Sequence, residues 1–336
     1  MPPEHDAEIH KNGCYHNAPP FAELRNPMGR AAQIRQFLFK RTPNAVPAGN
    51  IPIVPLNRQD LESRRENGEI HLYRLGHSTV LLKLGGDYWL TDPVFSNRAS
   101  PSRLAGPKRF HNTPITIADL PDITGVIISH NHYDHLDKSA IKQLNGKVGH
   151  FITTRGTGKY LKRWGVAETR ITELGWWQSH NHGDTTLTAT PSQHFSGRGL
   201  FDNNKSLWAS FVLQHNGRKI FFGSDSGYFD GFKQIGQHFG GFDITLMETG
   251  AYSALWPYVH MTPDQTYQAH KDLRGKTLMP IHNSTFKLAF HPWKEPLEQI
   301  TELAEQENTP LLTPQIGERI TLGQTASPPP RWWQSV

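Results

Sequence analysis

Gly125-Val126-Ile127-Ile128-Ser129-His130-Asn131-His132-Tyr133-Asp134-His135 decides how this chain is read. An apolar, β-branched run, suited to a buried strand, ends directly in His130, His132, Asp134 and His135. On an extended chain, side chains two residues apart point to the same side, so His130 and His132 can share one metal ion. Asp134 and His135, one turn later, can reach a second ion beside it. Imidazole and carboxylate ligands suit zinc and neighbouring first-row metals. A surface turn that served only solubility would have no need of this ligand density directly behind a buried strand.

One segment cannot close two metal sites, so other strands must bring further ligands. Three do. His194 ends Thr190-Pro191-Ser192-Gln193-His194, Asp225 follows Lys219-Ile220-Phe221-Phe222-Gly223-Ser224, and His282 follows Thr277-Leu278-Met279-Pro280-Ile281. Singly each would pass for a loop residue; as a set with the first segment they are specific. From His71 onward the texture is of short β runs bounded by turn residues. The runs are His71–Leu75, Thr79–Leu84, Asp87–Thr91, Gly125–Ser129, His150–Thr153, Thr185–Thr190, Leu207–Gln214, Arg218–Gly223, Asp243–Glu248, Thr277–Ile281 and Glu318–Leu322. Helices are expected at Lys138–Asn145 behind an Asp137 cap, at Pro263–Arg274 behind the capping box Thr262-Pro263-Asp264-Gln265, and at Pro296–Gln306. Strands with interspersed helices predict an α/β layered fold.

The rest of the chain sets bounds. Its 336 residues are 36% hydrophobic and 19% charged, enough for a real core and against global disorder. A single cysteine, Cys14, excludes internal disulfides and cysteine-cluster metal sites. No apolar run approaches the roughly 18 residues of a spanning helix, and the N-terminal stretch has no apolar signal region, so a cytoplasmic protein is expected. The net charge of +5 is uneven: residues 1–224 carry +9 and residues 225–336 carry −4. Leu24–Gln59, Pro93–Ala118 and Lys138–Ala167 hold no acid at all, which favours anionic partners. Residues 1–69 read as a proline-rich arm ahead of a domain over 70–336. The arm's Gly29–Lys40 segment reads as a short basic amphipathic helix, with Ile34, Phe37, Leu38 and Phe39 among Arg30, Arg35 and Lys40. It is expected to dock peripherally on a membrane surface.

His-x-His-x-Asp-His followed by His, Asp and His at strand ends is similar to the ligand order of the metallo-β-lactamase superfamily. Longer strings resemble the N-acylphosphatidylethanolamine-hydrolysing phospholipase D family. They include Leu90-Thr91-Asp92-Pro93-Val94-Phe95-Ser96-Asn97-Arg98-Ala99-Ser100-Pro101-Ser102, Gly106-Pro107-Lys108-Arg109-Phe110, Trp176-Trp177, Asp225-Ser226-Gly227-Tyr228 and Gly250-Ala251-Tyr252. The resemblance implies an αβ/βα sandwich of two packed sheets with the active site at the strand-end edge. It implies one metal site from His130, His132 and His194, a second from Asp134, His135 and His282, and Asp225 as the bridging carboxylate. Two zinc ions are expected, other divalent metals being compatible. Ser224 stands where the family pattern has glycine, and Asn283-Ser284 where it has Trp-Gly. Asp92 and Asp137 are candidates to hold ligating histidines in place. His77 lies in a matched string, with a structural role expected. His260, just before a helix N-terminus, is a candidate to contact substrate phosphate or protonate the leaving oxygen. Tyr252 and Trp256 are candidate substrate walls.

The implied activity is zinc-dependent, phospholipase D-type hydrolysis of N-acylphosphatidylethanolamine or a related phospholipid, giving phosphatidic acid and an N-acylethanolamine. The expected partner is thus a phospholipid at a membrane, with no nucleic acid. Alternatives are a metal-dependent lactonase, a small-molecule or RNA phosphodiesterase, or a non-catalytic lipid-binding module. The complete ligand set argues against the last.

Overall fold

The computed structural model describes residues 9–18, 42–62, 69–323 and 331–336. The expected membrane-docking helix Gly29–Lys40 lies outside them. A small hairpin, β1 (His10–Lys11) and β2 (Cys14–Tyr15), precedes a short helix, α1 (Arg58–Glu62). Two large sheets follow. The first contains β3 (Ile70–Gly76), β4 (Thr79–Leu84), β5 (Asp87–Thr91), β6 (Ile123–Ile128), β7 (Val148–Thr154) and β8 (Ile171–Leu174). The second contains β9 (Ser179–His182), β10 (Thr185–Thr190), β11 (Ser210–His215), β12 (Arg218–Phe222), β13 (Ile244–Glu248) and β14 (Leu278–Ile281). A last strand, β15 (Arg319–Thr321), returns to pair antiparallel with β3. The spatial orders are β15-β3-β4-β5-β6-β7-β8 and β14-β13-β12-β11-β10-β9.

Period-two alternation sorts the strand residues into layers. Leu82, Trp89, Ile127 and Ile152 of the first sheet meet Leu187, Phe211, Leu213, Phe222 and Leu246 of the second in one buried core. The intervening residues Leu81, Leu90, Val126, Ile128 and Phe151 face outward onto α2 (Lys138–Leu144) and α3 (Gly158–Arg163). On the far side Val212, Phe221 and Met247 pack under α4 (Gly231–Phe239), α5 (Pro263–Asp272) and α6 (Glu295–Gln306). The result is the αβ/βα sandwich. Gly125 belongs to the inner face because a Cβ there would lie 2.2 Å from the Trp89 ring, which occupies the space.

Several elements differ from the sequence expectation. β8 and β9 escaped it; β9 reads Ser-His-Asn-His and sits largely exposed at the sheet edge, so no apolar alternation marks it. α4 is masked in sequence by Gly231 and Gly236. The second glycine is required by packing, since a Cβ at Gly236 would come within 2.2 Å of the Asp272 carbonyl on α5.

β5 to β8 run parallel, as do β12 to β14. The C-terminal ends of β5, β6, β12, β13 and β14 therefore open on one edge of the sandwich. β10 runs in the same direction as β12, because each is antiparallel to β11.

Candidate metal centre

The loops leaving that edge carry the ligand-type residues. His130 and His132 follow β6, His194 follows β10, Asp225 follows β12, Glu248 ends β13 and His282 follows β14. Among the described residues four groups of potential ligand atoms form, each within 4.8 Å; two of them, His130, His132, His194 and Asp225, and His77, Asp134, His135 and His282, hold the expected ligands, and the other two, Asp225, Glu248, His260 and His282, and Asp92, His130 and His135, overlap them. The residues expected from sequence thus come together on one edge.

In the first group, His130 Nε2 lies 2.9 Å and His194 Nε2 3.2 Å from His132 Nδ1. Burial and the neighbouring imidazoles hold the pKa values of His130 and His194 well below the usual histidine value. His132, for which burial is also the leading cause, falls to about 4. Neutral imidazoles that aim nitrogens at one another are suited to a shared cation rather than to mutual hydrogen bonds. Each ring is steered from behind. The His130 Nδ1 meets Ser129 Oγ at 2.9 Å, and the His194 Nδ1 lies 3.0 Å from the Val259 carbonyl.

Asp225 joins the two groups. Its Oδ2 lies 3.1 Å from His135 Nε2 and 3.6 Å from His194 Nε2, while its Oδ1 lies 3.1 Å from His282 Nε2. Asp134 Oδ2 faces His77, His135 and His282 at 3.1, 3.5 and 3.4 Å. Burial disfavours charge on Asp225, but His135 and His282 outweigh it and hold its pKa well below normal. The same pairing acts in reverse on the histidines. Burial opposes their charge, yet the carboxylates raise His135 well above normal and His282 to about 10.

The donor set fits divalent metals. His135 Nε2, His282 Nε2 and Asp225 Oδ1 are buried without a well-formed hydrogen bond, and the carboxylates that favour a proton on these nitrogens would equally favour a metal cation in its place. Buried carboxylates in such number also require positive charge.

Asp92 holds the set from below. Fully buried, it accepts from His135 Nδ1 at 2.7 Å, from the Ser129 hydroxyl at 2.6 Å and from the Ser129 amide at 2.7 Å. The structure separates it from Asp137, whose carboxylate caps α2 through the Ser139 amide (2.8 Å) and accepts from the Phe95 and Ser96 amides (3.1 and 2.8 Å). Asp137 touches no member of the ligand groups in these contacts; it is a helix cap that pins the 95–96 loop. His77 is buried beside Asp134, and its ring centroid lies 3.9 Å from that of His282.

His260 lies at the cleft with its ring 5.2 Å from His194 and 5.4 Å from His282. Glu248, which the sequence reading passed over, is the residue that fixes it. Its fully buried carboxylate accepts from His260 Nδ1 at 3.0 Å and from the Met261 amide at 2.9 Å. The available signal was an acid closing the apolar strand Ile244–Glu248. Trp256 lines the cleft, its indole N–H donating to the Ala251 carbonyl at 2.6 Å. Tyr252 does not line it; its hydroxyl donates to Glu295 at 2.5 Å and its ring stacks on His291.

The cleft over these residues has a volume of about 830 Å³. Leu200, 88% exposed, lines its rim, and Phe201, its neighbour in the chain, is 85% exposed. Asn17, from the N-terminal segment, closes one side by pairing with the His194 backbone in both directions, at 2.9 and 3.0 Å.

Residues 88–283 match the model of the beta-lactamase superfamily domain. With the αβ/βα sandwich and the ligand edge in place, that match decides the family. The chain belongs to the metallo-β-lactamase superfamily. Within it, the chain is 34% identical over 286 residues to N-acyl-phosphatidylethanolamine-hydrolyzing phospholipase D 1 of Caenorhabditis elegans, covering 80% of this chain and 79% of that one. It is 38% identical over 315 residues to an uncharacterized protein of Mycobacterium tuberculosis, covering 93% and 83%. Igni18, a metallo hydrolase from Ignicoccus hospitalis, superposes with a TM-score of 0.58 at 19% identity, over 76% of this chain and 99% of that one, and so shares the superfamily fold. The chain is accordingly a metallo-hydrolase of this superfamily. Among its described residues no helix is long and apolar enough to cross a membrane.

Proposed function

We propose that this hydrolase binds two zinc ions and cleaves the headgroup-side phosphodiester of N-acylphosphatidylethanolamine or a related phospholipid. The products are phosphatidic acid and an N-acylethanolamine. The observation that carries the reading is Asp225, whose Oδ2 lies 3.6 Å from His194 and 3.8 Å from His130 of one group while its Oδ1 lies 3.1 Å from His282 of the other, beneath one cleft. The name of the Caenorhabditis elegans relative supports the substrate class.

Two such ions, when bound, supply an attacking hydroxide at neutral pH and neutralise phosphate charge. The protein's own residues do the rest. His130, His132 and His194 would hold one ion and Asp134, His135 and His282 the other, with Asp225 reaching both groups. Asp92 fixes the tautomer of His135 by accepting a hydrogen bond from its Nδ1–H. Glu248 holds His260 by Nδ1, leaving Nε2 for the substrate phosphate or the leaving oxygen. Leu200, Phe201 and Trp256 offer apolar surface to acyl chains, and the exposed pair provides a place for peripheral contact with a bilayer.

The test is hydrolysis in oxygen-18 water. The label should appear in the phosphate product. Label found only in a released carboxylate would assign acyl or lactone chemistry instead. Metal analysis of the same preparation should give two zinc ions per chain; a value below about one would remove the two-metal reading.

A further inference from the structure

A second cleft, of about 500 Å³, lies beside the first and shares Leu288 with it. Much of its wall comes from the acid-free stretch Pro93–Ala118. Arg98 and Lys108 are direct partners in an antiparallel bridge, tied by Ala99 N–H to the Pro107 carbonyl (3.1 Å) and Arg109 N–H to the Asn97 carbonyl (2.9 Å). Residues directly opposite in such a pair project to the same face, where like charges repel. Lys287, from a distant part of the chain, lines the same cleft, as does the buried Arg109. The Arg109 guanidinium donates to the carbonyls of Val94 (2.6 Å) and Ser96 (3.3 Å), and its Nη1 lacks an acceptor. Burial lowers its pKa only to about 10, so it stays charged at neutral pH. Among the described residues no carboxylate lines this cleft and none pairs with Arg98, Lys108 or Lys287.

Arg98, which also donates to the Gly106 carbonyl (2.6 Å), Lys108 and Lys287 have no counter-charge among the described residues, an unfinished arrangement, whereas Asp137 stands near enough to Arg109 to favour its charge. The remaining lining is apolar and includes Val46, Phe110 and Phe290. The turn between Arg98 and Lys108 also presents Leu104, 89% exposed, beside Arg103. We infer that this cleft is a second binding site, in which Arg98, Lys108 and Lys287 hold the phosphate of an anionic phospholipid while its apolar walls receive the chains. Free phosphate shares the oxyanion chemistry but would leave those walls uncovered. The site is separate from the metal centre and does not depend on the phosphodiesterase reading.

The experiment is calorimetric titration of the full-length holoenzyme with monomeric dihexanoyl phosphatidic acid. Dihexanoyl phosphatidylcholine and inorganic phosphate are titrated alongside. Phosphatidic acid should bind, and a component of that binding should persist in Asp225→Ala, which alters only the metal centre. The doubly substituted Arg98→Gln/Lys108→Gln chain should lose roughly tenfold or more in that component, as expected for charge-assisted hydrogen bonds to phosphate. Lys287→Gln, outside the bridge, should weaken it too, and so serves if the double variant folds poorly. Unchanged affinity in both variants would overturn the site. Equal affinity for phosphatidylcholine would overturn the role of headgroup charge, and equal affinity for inorganic phosphate would overturn the lipid assignment. Loss of all binding in Asp225→Ala would place the ligand at the metal centre instead.

Discussion

Asp92→Asn is nearly isosteric, yet it should separate a positioning carboxylate from a merely buried one. In the native site Asp92 receives three short hydrogen bonds, from the Ser129 amide, the Ser129 hydroxyl and His135 Nδ1, and a long one from the Ser224 hydroxyl (3.4 Å). Asparagine keeps an acceptor for the amide but turns an NH2 toward the Ser129 hydroxyl and His135. The Ser129 hydroxyl can rotate and accept. The His135 Nδ1–H cannot; its proton must move to Nε2, the atom that faces Asp225 and Asp134. A ligand nitrogen carrying a proton is no ligand. Loss of such a partner typically costs about 10–100-fold in metal affinity, which corresponds to ~1.4–2.8 kcal/mol. Failure to re-satisfy the buried donor would add ~1–3 kcal/mol against folding. Competition with a chromogenic chelator measures the first quantity and denaturant titration the second. Asp137→Asn is the control: it disturbs three backbone amides, so it should lose stability while leaving metal affinity unchanged. Native metal affinity in Asp92→Asn, or an equal loss in Asp137→Asn, would refute the assignment.

Asp225→Ala should reduce the bound metal toward one ion per chain and lower turnover far more than it lowers the folding midpoint; near-native turnover would remove the bridging role. Ser224→Gly should raise stability by ~0.5–1 kcal/mol in urea titration with activity kept, because Ser224 is held at φ +50° and its hydroxyl makes only a long 3.4 Å contact to Asp92. Replacing Leu200 and Phe201 by Asp should depress hydrolysis of substrate in vesicles while leaving hydrolysis of a short-chain, monomeric diester near native. Equal losses on both would place the pair in folding or catalysis rather than at a membrane.

The ligand edge was legible because its signal is local. An apolar run followed by a ligand-type residue marks a strand end, and six residues after β6 hold enough imidazole and carboxylate to exclude a surface turn. The layers were legible for the same reason, since alternation within Val126, Ile127 and Ile128 already assigns opposite faces. What escaped depends on distant partners. Asp92 and Asp137 look alike in sequence, each an acid at the end of an element. Only the placement of β5 beside β6 puts Asp92 behind His135, while Asp137 stays with its own helix. Glu248 was hidden because an acid after Leu246-Met247 reads as a strand end, and its partner His260 lies across a long loop. The string around Tyr252 points to a cleft wall, but Glu295 on α6 draws its hydroxyl away.

The backbone explains where the family pattern and this chain part company. Asp92, Ser224, His282 and Ser284 all adopt positive φ at the metal edge, between 32° and 61°. Such residues cost on the order of 1–3 kcal/mol each and persist only where surrounding structure over-determines them. Each follows a buried strand whose end must turn sharply to aim a side chain back over the edge. Glycine before Asp225 would relieve that turn, and serine there accepts the strain. For Asp92 and His282 no such relief is open, because the strained residue is itself the one that must reach the metal centre or the ring behind it. The strain is therefore located by chemistry rather than by folding. The two sheets, with fully buried cores on both faces of β6, β12 and β13, supply the rigidity that holds it.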